Sequence, residues 1–320
     1  MPDFPLWPQC NIGCVFCSNP VEGYRETTEK YSFEELKKKV AGYKKGAKTF
    51  LKFDEVRDYF NLTGGEPTIH PEFHKVLAHI RQEFPVTLIR LLTNGRMLSY
   101  PDFARRTCGI AQTPFEFAVP LFGYDPKTHE SISRTPKSFE QTTAGLRNLK
   151  EFKKPGQIVE VRVILTKIQV KYLDGMLDML LAEFPWIDRL TFLFVELEGF
   201  ADQFQKRLMF KMTDCAEHLD RNYDKLVQFK DVRFYHFPLC VLPTRLWPFV
   251  WNTLADFKVT YFEECRTQCT YKEQCVGVHR SYERYMGAPD ITPITEKRNV
   301  ELSGDKYHPI SAYFEEVAKA

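Results

Sequence analysis

Cys10, Cys14 and Cys17 stand in CNIGCVFC, at C-x3-C-x2-C spacing. One loop can turn three such thiols toward a single metal centre, and soft thiolates select zinc or iron–sulfur clusters. A structural zinc site closes with four ligands. No fourth cysteine or histidine lies nearby, the next histidine being His70. A [4Fe–4S] cluster held by three cysteines keeps one iron open to bind something else. Spacing alone leaves zinc as the alternative. A second group comprises Cys240 and the trio Cys265, Cys269 and Cys275 in CRTQCTYKEQC. These four thiolates are enough to close a metal site completely, with iron–sulfur or zinc both open. His236 and His279 lie near these cysteines in sequence. They are expected to support the site or to lie at the surface rather than to ligate, because the thiolates already suffice. Cys108 and Cys215 are isolated in helix-like segments, where a buried, inert thiol is the default.

TGGEP, Thr63 to Pro67, ends a predicted strand. Glycine lets the backbone come close to a ligand, and Glu66 offers a carboxylate to a cationic amine. The plain alternative is an ordinary strand-ending turn. Following the CxxxCxxC loop by one helix and one strand, Gly64, Gly65, Glu66 and Pro67 complete a pattern that resembles the radical S-adenosylmethionine (SAM) superfamily. The likeness covers roughly residues 8–200. It implies an α/β fold, a partial (β/α)6 TIM-like barrel, with the cofactors at the C-terminal ends of the strands. It implies a [4Fe–4S] cluster on Cys10, Cys14 and Cys17 whose open iron chelates SAM. Reductive cleavage of SAM then gives a 5′-deoxyadenosyl radical that abstracts a substrate hydrogen. An electron donor such as flavodoxin or ferredoxin is the implied partner. By the same likeness Phe16 lies near the adenine, the Gly64–Pro67 motif meets the SAM amino group and Asn94 of LLTNG lines the cleft. Arg134, in HESISRTPKSF, is the candidate for the SAM carboxylate, since guanidinium suits a two-pronged carboxylate contact. There is one departure: Pro120-Leu121-Phe122-Gly123 stands where many relatives carry Ser-x-Asp-Gly, so Pro120 is assigned no role.

The C-terminal cysteines resemble the shortened auxiliary-cluster domains called SPASM or twitch, which implies a second [4Fe–4S] cluster on Cys240, Cys265, Cys269 and Cys275. Residues 279–294 bear a looser similarity to radical SAM maturases of ribosomal peptides, including the His-Xaa-Ser type. A peptide or protein is therefore the favoured substrate, with cofactor or small-molecule biosynthesis as the alternative. A non-catalytic iron–sulfur or zinc protein is the alternative of another class, disfavoured by the intact CxxxCxxC and GGEP. Against a peptide substrate stands the short run before Cys10, with no peptide-recognition domain there, a role that a separate protein could fill.

The elements that position these residues alternate. Helices are expected over 33–46, 71–84, 102–107, 138–151 and 171–184, from apolar positions at helical spacing. Strands are expected over 59–65, 86–95, 115–123, 158–167 and 189–199, with apolar, β-branched runs suited to a parallel sheet covered on both faces. After about residue 200 the rhythm weakens into a polar helical stretch, then VRFYHFP, then a region rich in Pro, Cys and Tyr. The expected division is a barrel over 1–200 and a helical linker with the auxiliary-cluster domain over 201–320. Glu196 and Glu198, at the end of the last of these strands, are expected to be satisfied or solvated, with substrate contact as the alternative.

Composition narrows the classes. The chain has 320 residues, 43% hydrophobic and 14% aromatic, far too apolar for a disordered chain. Its net charge of +2 gives no reason to expect DNA or an anionic membrane as partner. The runs Lys37-Lys38-Lys39 and Lys44-Lys45 read as a solvated helix face. The opening MPDFPLWPQC has neither a basic leader nor an apolar core, and no apolar run approaches the ~20 residues of a membrane helix. A soluble, cytoplasmic enzyme is the expectation. In that compartment nine cysteines point to metal rather than disulfides.

Overall fold

The structure, a computed structural model, describes residues 3–18, 28–45, 59–254 and 258–315. The chain folds as two compact units, Met1–Arg162 with Trp186–Asp188, and Val163–Pro185 with Arg189–Ala320.

The first unit is a parallel sheet with helical crossovers. Its elements run β1 (Asp3–Trp7), α1 (Phe33–Lys44), β2 (Tyr59–Gly64), α2 (Phe73–Glu83), β3 (Leu88–Leu92), α3 (Pro101–Ala111), β4 (Phe115–Pro120), α4 (Pro126–Ser133), α5 (Ser138–Phe152) and, up to Arg162, β5 (Gln157–Leu165). Each strand pairs in parallel with the next, β1 through β5. The core strand β4 is buried over nearly its whole length, as the continuous apolar run requires. The α1 helix starts on Ser32, whose side chain accepts from Glu35 N. It buries Leu36 and Val40 and pairs Lys37 with Glu34 and Lys38 with Glu35 on the exposed side. The basic run is thus the solvated face expected of it.

Two elements go beyond the sequence reading. β1 carries Pro5 yet buries Phe4 and Leu6; proline is tolerated because the strand forms the edge of the sheet. α4 is fixed by a capping box in which Asp125 accepts from Thr128 N at 2.7 Å, with Pro126 at the first helical position. The expected short helix at 102–107 extends to Ala111, because Ala104, Thr107, Cys108 and Ala111 form one buried stripe.

Charges also lie inside this unit. Arg90 Nε is 2.6 Å from Glu116 Oε1, and the guanidinium covers the Tyr59 ring at 4.2 Å. Arg90 and Glu116 are register partners on β3 and β4. Arg81, on α2, donates to the carbonyls of Ala111, Phe84, Thr87 and Pro114, tying together the segments that enter β3 and β4.

In the second unit come α6 (Leu173–Glu183), β6 (Arg189–Phe194), α7 (Gln205–Leu208), α8 (Met212–Arg221), α9 (Tyr223–Leu226), β7 (Val232–Tyr235) and β8 (Val250–Trp251). β6, β7 and β8 are again parallel neighbours. Then follow β9 (Val259–Thr260), α10 (Glu263–Gln268), β10 (Val278–His279), α11 (Arg280–Met286), β11 (Val300–Leu302) and β12 (Ile310–Tyr313). β9 with β10, and β11 with β12, form short antiparallel pairs. Cys108 and Cys215 are fully buried, and burial pushes the Cys108 thiol up to about 11. Among the described residues no helix is long and apolar enough to cross a membrane.

Candidate functional site

The cysteine loop of the first unit is braced on two sides. Gly65 N donates to the Trp7 carbonyl at 2.7 Å and Glu66 N to that of Gln9 at 2.8 Å. A Cβ on Gly64 would stand 2.2 Å from the Trp7 carbonyl oxygen, and one on Gly65 2.2 Å from that of Gln9. Gly64 also holds φ at +136°, a value side chains resist. The glycine pair therefore lets the end of β2 lie directly against the chain that delivers Cys10. On the other side Gly13 N donates to Ser133 O at 2.9 Å and Val15 N to Ile132 O at 3.1 Å, pinning the loop to the end of α4. Cys17 N closes a turn on Cys14 O at 3.2 Å.

Cys10, Cys14 and Cys17 are each partly buried and close enough to perturb one another electrostatically. Burial pushes the Cys10 thiol up to about 12, with the Glu66 carboxylate adding to the rise. Burial, then Cys10 and Cys17, raises Cys14 far above an ordinary thiol. Such thiols keep their protons until a cation arrives, and coordination to a metal removes them outright. Three neighbouring thiols on a braced loop beside the Glu66 carboxylate fit a metal cluster and could hold one.

Around them lies a polar cradle. Glu66 is 1% exposed. Its Oε1 accepts from Thr68 N, Thr68 Oγ1 and Thr93 Oγ1, and its Oε2 from Asn94 N at 2.7 Å. The carboxylate read from sequence as facing an amine thus clamps the end of β2 to the end of β3. Burial raises its pKa, against the pull of these donors. Asn94 Nδ2 donates to Asn11 Oδ1 at 2.7 Å and lies 3.9 Å from Cys10 Sγ. Arg96 donates to the Asn11 carbonyl and, at 2.6 Å, to Gln141 Oε1. Asn11 and Arg96 escaped the sequence reading, although Asn11 adjoins Cys10 and Arg96 follows LLTNG by one residue. Phe16 packs edge-on against Phe122 at 5.1 Å, and Phe122 contacts His129 at 4.8 Å. The departure at the end of β4 is thus an apolar, aromatic wall. Arg134 is exposed and caps α4 in the left-handed region. Its Cβ comes within 4.0 Å of the position a Gly13 Cβ would take.

The second unit gathers the other cysteines. Cys240, Cys265, Cys269 and Cys275 line one cavity of about 250 Å³, with Tyr261 and Arg266 on its wall. Cys265 lies on α10 and Cys269 one turn on, so both face the same way. Burial, then Cys275, pushes the Cys240 thiol up to about 12, and burial raises Cys275. Gly277 N donates to Cys275 Sγ at 3.4 Å, a bond that suits a thiolate. His236 and His279 do not line this cavity. Neither is at the surface; both are buried beside Glu196.

Residues 4–180 match the radical SAM superfamily. The chain belongs to this superfamily. Membership implies SAM and a [4Fe–4S] cluster as cofactors. Curated relatives include the GTP 3′,8-cyclase of Edwardsiella ictaluri, 26% identical over 148 residues, and that of Yersinia pestis, 25% identical over 142. Those alignments cover 43% and 41% of this chain but only 38% and 36% of the relatives. Among solved structures, SuiB of Streptococcus suis bound to S-adenosylmethionine superposes with a TM-score of 0.51 at 14% identity, covering 71% of this chain and 48% of SuiB. The protein anSMEcpe with bound AdoMet gives 0.50 at 16% identity, covering 70% of this chain and 59% of its own. At these identities the likeness establishes the shared α/β fold.

Proposed function

We propose that this radical SAM enzyme modifies a peptide or protein by hydrogen abstraction, using the N-terminal cysteine loop as its SAM-binding cluster site and the C-terminal cysteines as an auxiliary cluster site. The observation that carries the reading is the double brace that turns Cys10, Cys14 and Cys17 together in the first unit. When bound, a three-cysteine [4Fe–4S] cluster with SAM supplies the electron and the 5′-deoxyadenosyl radical that takes the substrate hydrogen. The chain's own residues set the stage. Cys10, Cys14 and Cys17 ligate. Gly64 and Gly65 admit the close approach that places Cys10, and Glu66 acts as a positioning residue by clamping β2 to β3. Pro67 opens the turn whose Thr68 feeds that clamp. Asn94 aims its amide at the loop, Phe16 and Phe122 pack edge-on as an apolar wall, and Arg134 stands beside Gly13 with a guanidinium suited to a carboxylate.

For the second site, one cavity lined by all four cysteines supports an auxiliary [4Fe–4S] cluster. Closed by four thiolates, it serves electron transfer or scaffolding rather than direct substrate binding. In this reading the chain divides near residue 200 into a barrel and a cluster-bearing region, and a flavodoxin or ferredoxin supplies electrons in the cytoplasm. Anaerobic reconstitution should load about eight iron and eight sulfide per chain, and the Cys10/Cys14/Cys17→Ala variant about four of each. Zinc without iron in that variant would refute the auxiliary cluster.

A peptide substrate is supported by a fold neighbour, SuiB, solved with its precursor peptide SuiA. The similarity to GTP 3′,8-cyclases favours a second reading, a nucleotide substrate. Deuterium transfer into 5′-deoxyadenosine from a labelled candidate peptide, set against labelled GTP, separates the two.

A further inference from the structure

In the second unit, side chains that do not line the cysteine cavity converge on a cation. Glu196 and Glu198 follow β6, at the C-terminal edge where parallel sheets place ligands. Glu196 Oε2 and Glu198 Oε2 lie 3.2 and 2.9 Å from Lys258 Nζ. The other carboxylate oxygens are held from outside. Glu196 Oε1 is 3.4 Å from His236 Nε2, whose Nδ1 meets the Phe194 carbonyl at 3.3 Å, and Glu198 Oε1 accepts from Arg280 at 2.7 Å. His279 completes the group. Its Nε2 lies 3.6 Å from Glu196 Oε2 and 3.7 Å from Glu198 Oε1, beyond hydrogen-bond reach. That nitrogen is buried without a hydrogen-bond partner, on a side chain whose residue is 1% exposed. Ligand atoms of Glu196, Glu198 and His279 all fall within 4.8 Å of one another.

We propose that Glu196, Glu198 and His279 form a divalent-cation site for which the Lys258 ammonium is the resident counter-ion in the metal-free chain. One imidazole nitrogen and two carboxylates make a hard-to-borderline donor set suited to Mn²⁺, Fe²⁺ or Zn²⁺. The outer contacts match what metal carboxylates need, since His236 and Arg280 orient one oxygen of each while the other faces the Lys258 ammonium. A divalent ion neutralises the two carboxylates, and Lys258 leaves still protonated. His279 carries its proton on Nε2 in the metal-free cluster, because Ser281 N donates to Nδ1 at 3.2 Å. Metal binding shifts that proton to Nδ1, where Ser281 Oγ at 2.8 Å accepts it and the bond from Ser281 N is given up. The imidazole stays neutral throughout and no net proton is released.

Mn²⁺ is the probe, because thiolate sites filled with iron–sulfur clusters leave it to oxygen and nitrogen donors. Reconstituted protein is titrated with Mn²⁺ while free Mn²⁺ is read by room-temperature EPR. Lys258→Met should bind about one Mn²⁺ per chain, roughly tenfold more tightly than wild type, once the competing cation is gone. Adding Glu198→Gln or His279→Asn to Lys258→Met should abolish that binding. Mn²⁺ should also raise the Tm of Lys258→Met and leave that of Lys258→Met/Glu198→Gln unmoved. Equal Mn²⁺ binding by wild type, Lys258→Met and the double variants, or none in a folded Lys258→Met, would overturn the site.

Discussion

A methyl group at Gly65 would sit 2.2 Å from the Gln9 carbonyl, one residue before Cys10. The clash is with backbone, which has no rotamer by which to escape, so Gly65→Ala should cost about 3 kcal/mol in a denaturant titration. It should also strip iron from the N-terminal site while the C-terminal site keeps its own; full iron at both sites would contradict the brace. Glu66 makes a second test. Its carboxylate accepts four hydrogen bonds, and a glutamine amide must turn two donors toward donors that already point there. Glu66→Gln should therefore destabilise by about 2 kcal/mol, and unchanged stability would remove the clamp from the mechanism. At this scale the sequence was legible for residue types and less so for roles. GGEP announced a close approach, but only the fold reveals that the glycines meet Trp7 and Gln9. A lone carboxylate in a motif does not show which donors surround it.

Helices and strands were easiest to read where periodicity ran long. α2, α5 and β5 lie within a few residues of their expected places, because an apolar stripe fixes the face that must be buried. β1 was invisible for a physical reason: five residues with a central proline carry little strand signal, and only pairing with β2 stabilises them. α4 had a readable cap in Asp125-Pro126 but only eight residues, too few for a helical period to stand out. Pairing between elements can be tested at Asp231, just before β7. Burial pulls its carboxyl upward, and the bonds from Arg233 and Arg189 outweigh that and hold it below the usual 3.8. The folded state therefore prefers the ionised form. The stabilisation is present above 3.8 and disappears as pH falls through the lowered value. Asp231→Asn should be about 1.5 kcal/mol less stable than wild type at pH 7, with the gap closing in acid denaturation below pH ~3.8. A gap that is constant down to pH 2 (roughly two units lower) would show that charge is not its source.

For the whole molecule, two cysteine sets in two compact units organise what can be inferred. Nine cysteines with a net charge of +2 pointed to metal without naming a substrate, and charge still names none. The family follows from residues 4–180, the region where sequence pattern and fold agree most closely. The C-terminal region was legible in its cysteines and not in its surroundings, since a cavity is built from residues scattered between Pro238 and Ile294. The Glu196–Lys258–His279 cluster was less legible still, because its members come from distant stretches of chain, like the neighbouring Leu197–Ser281 bond between residues 84 positions apart. The most direct test is SAM cleavage. Anaerobically reconstituted, reduced protein should convert SAM to 5′-deoxyadenosine and methionine, and the Cys10/Cys14/Cys17→Ala variant should not. An intact, reduced cluster that yields no 5′-deoxyadenosine in the presence of SAM would contradict the proposed chemistry.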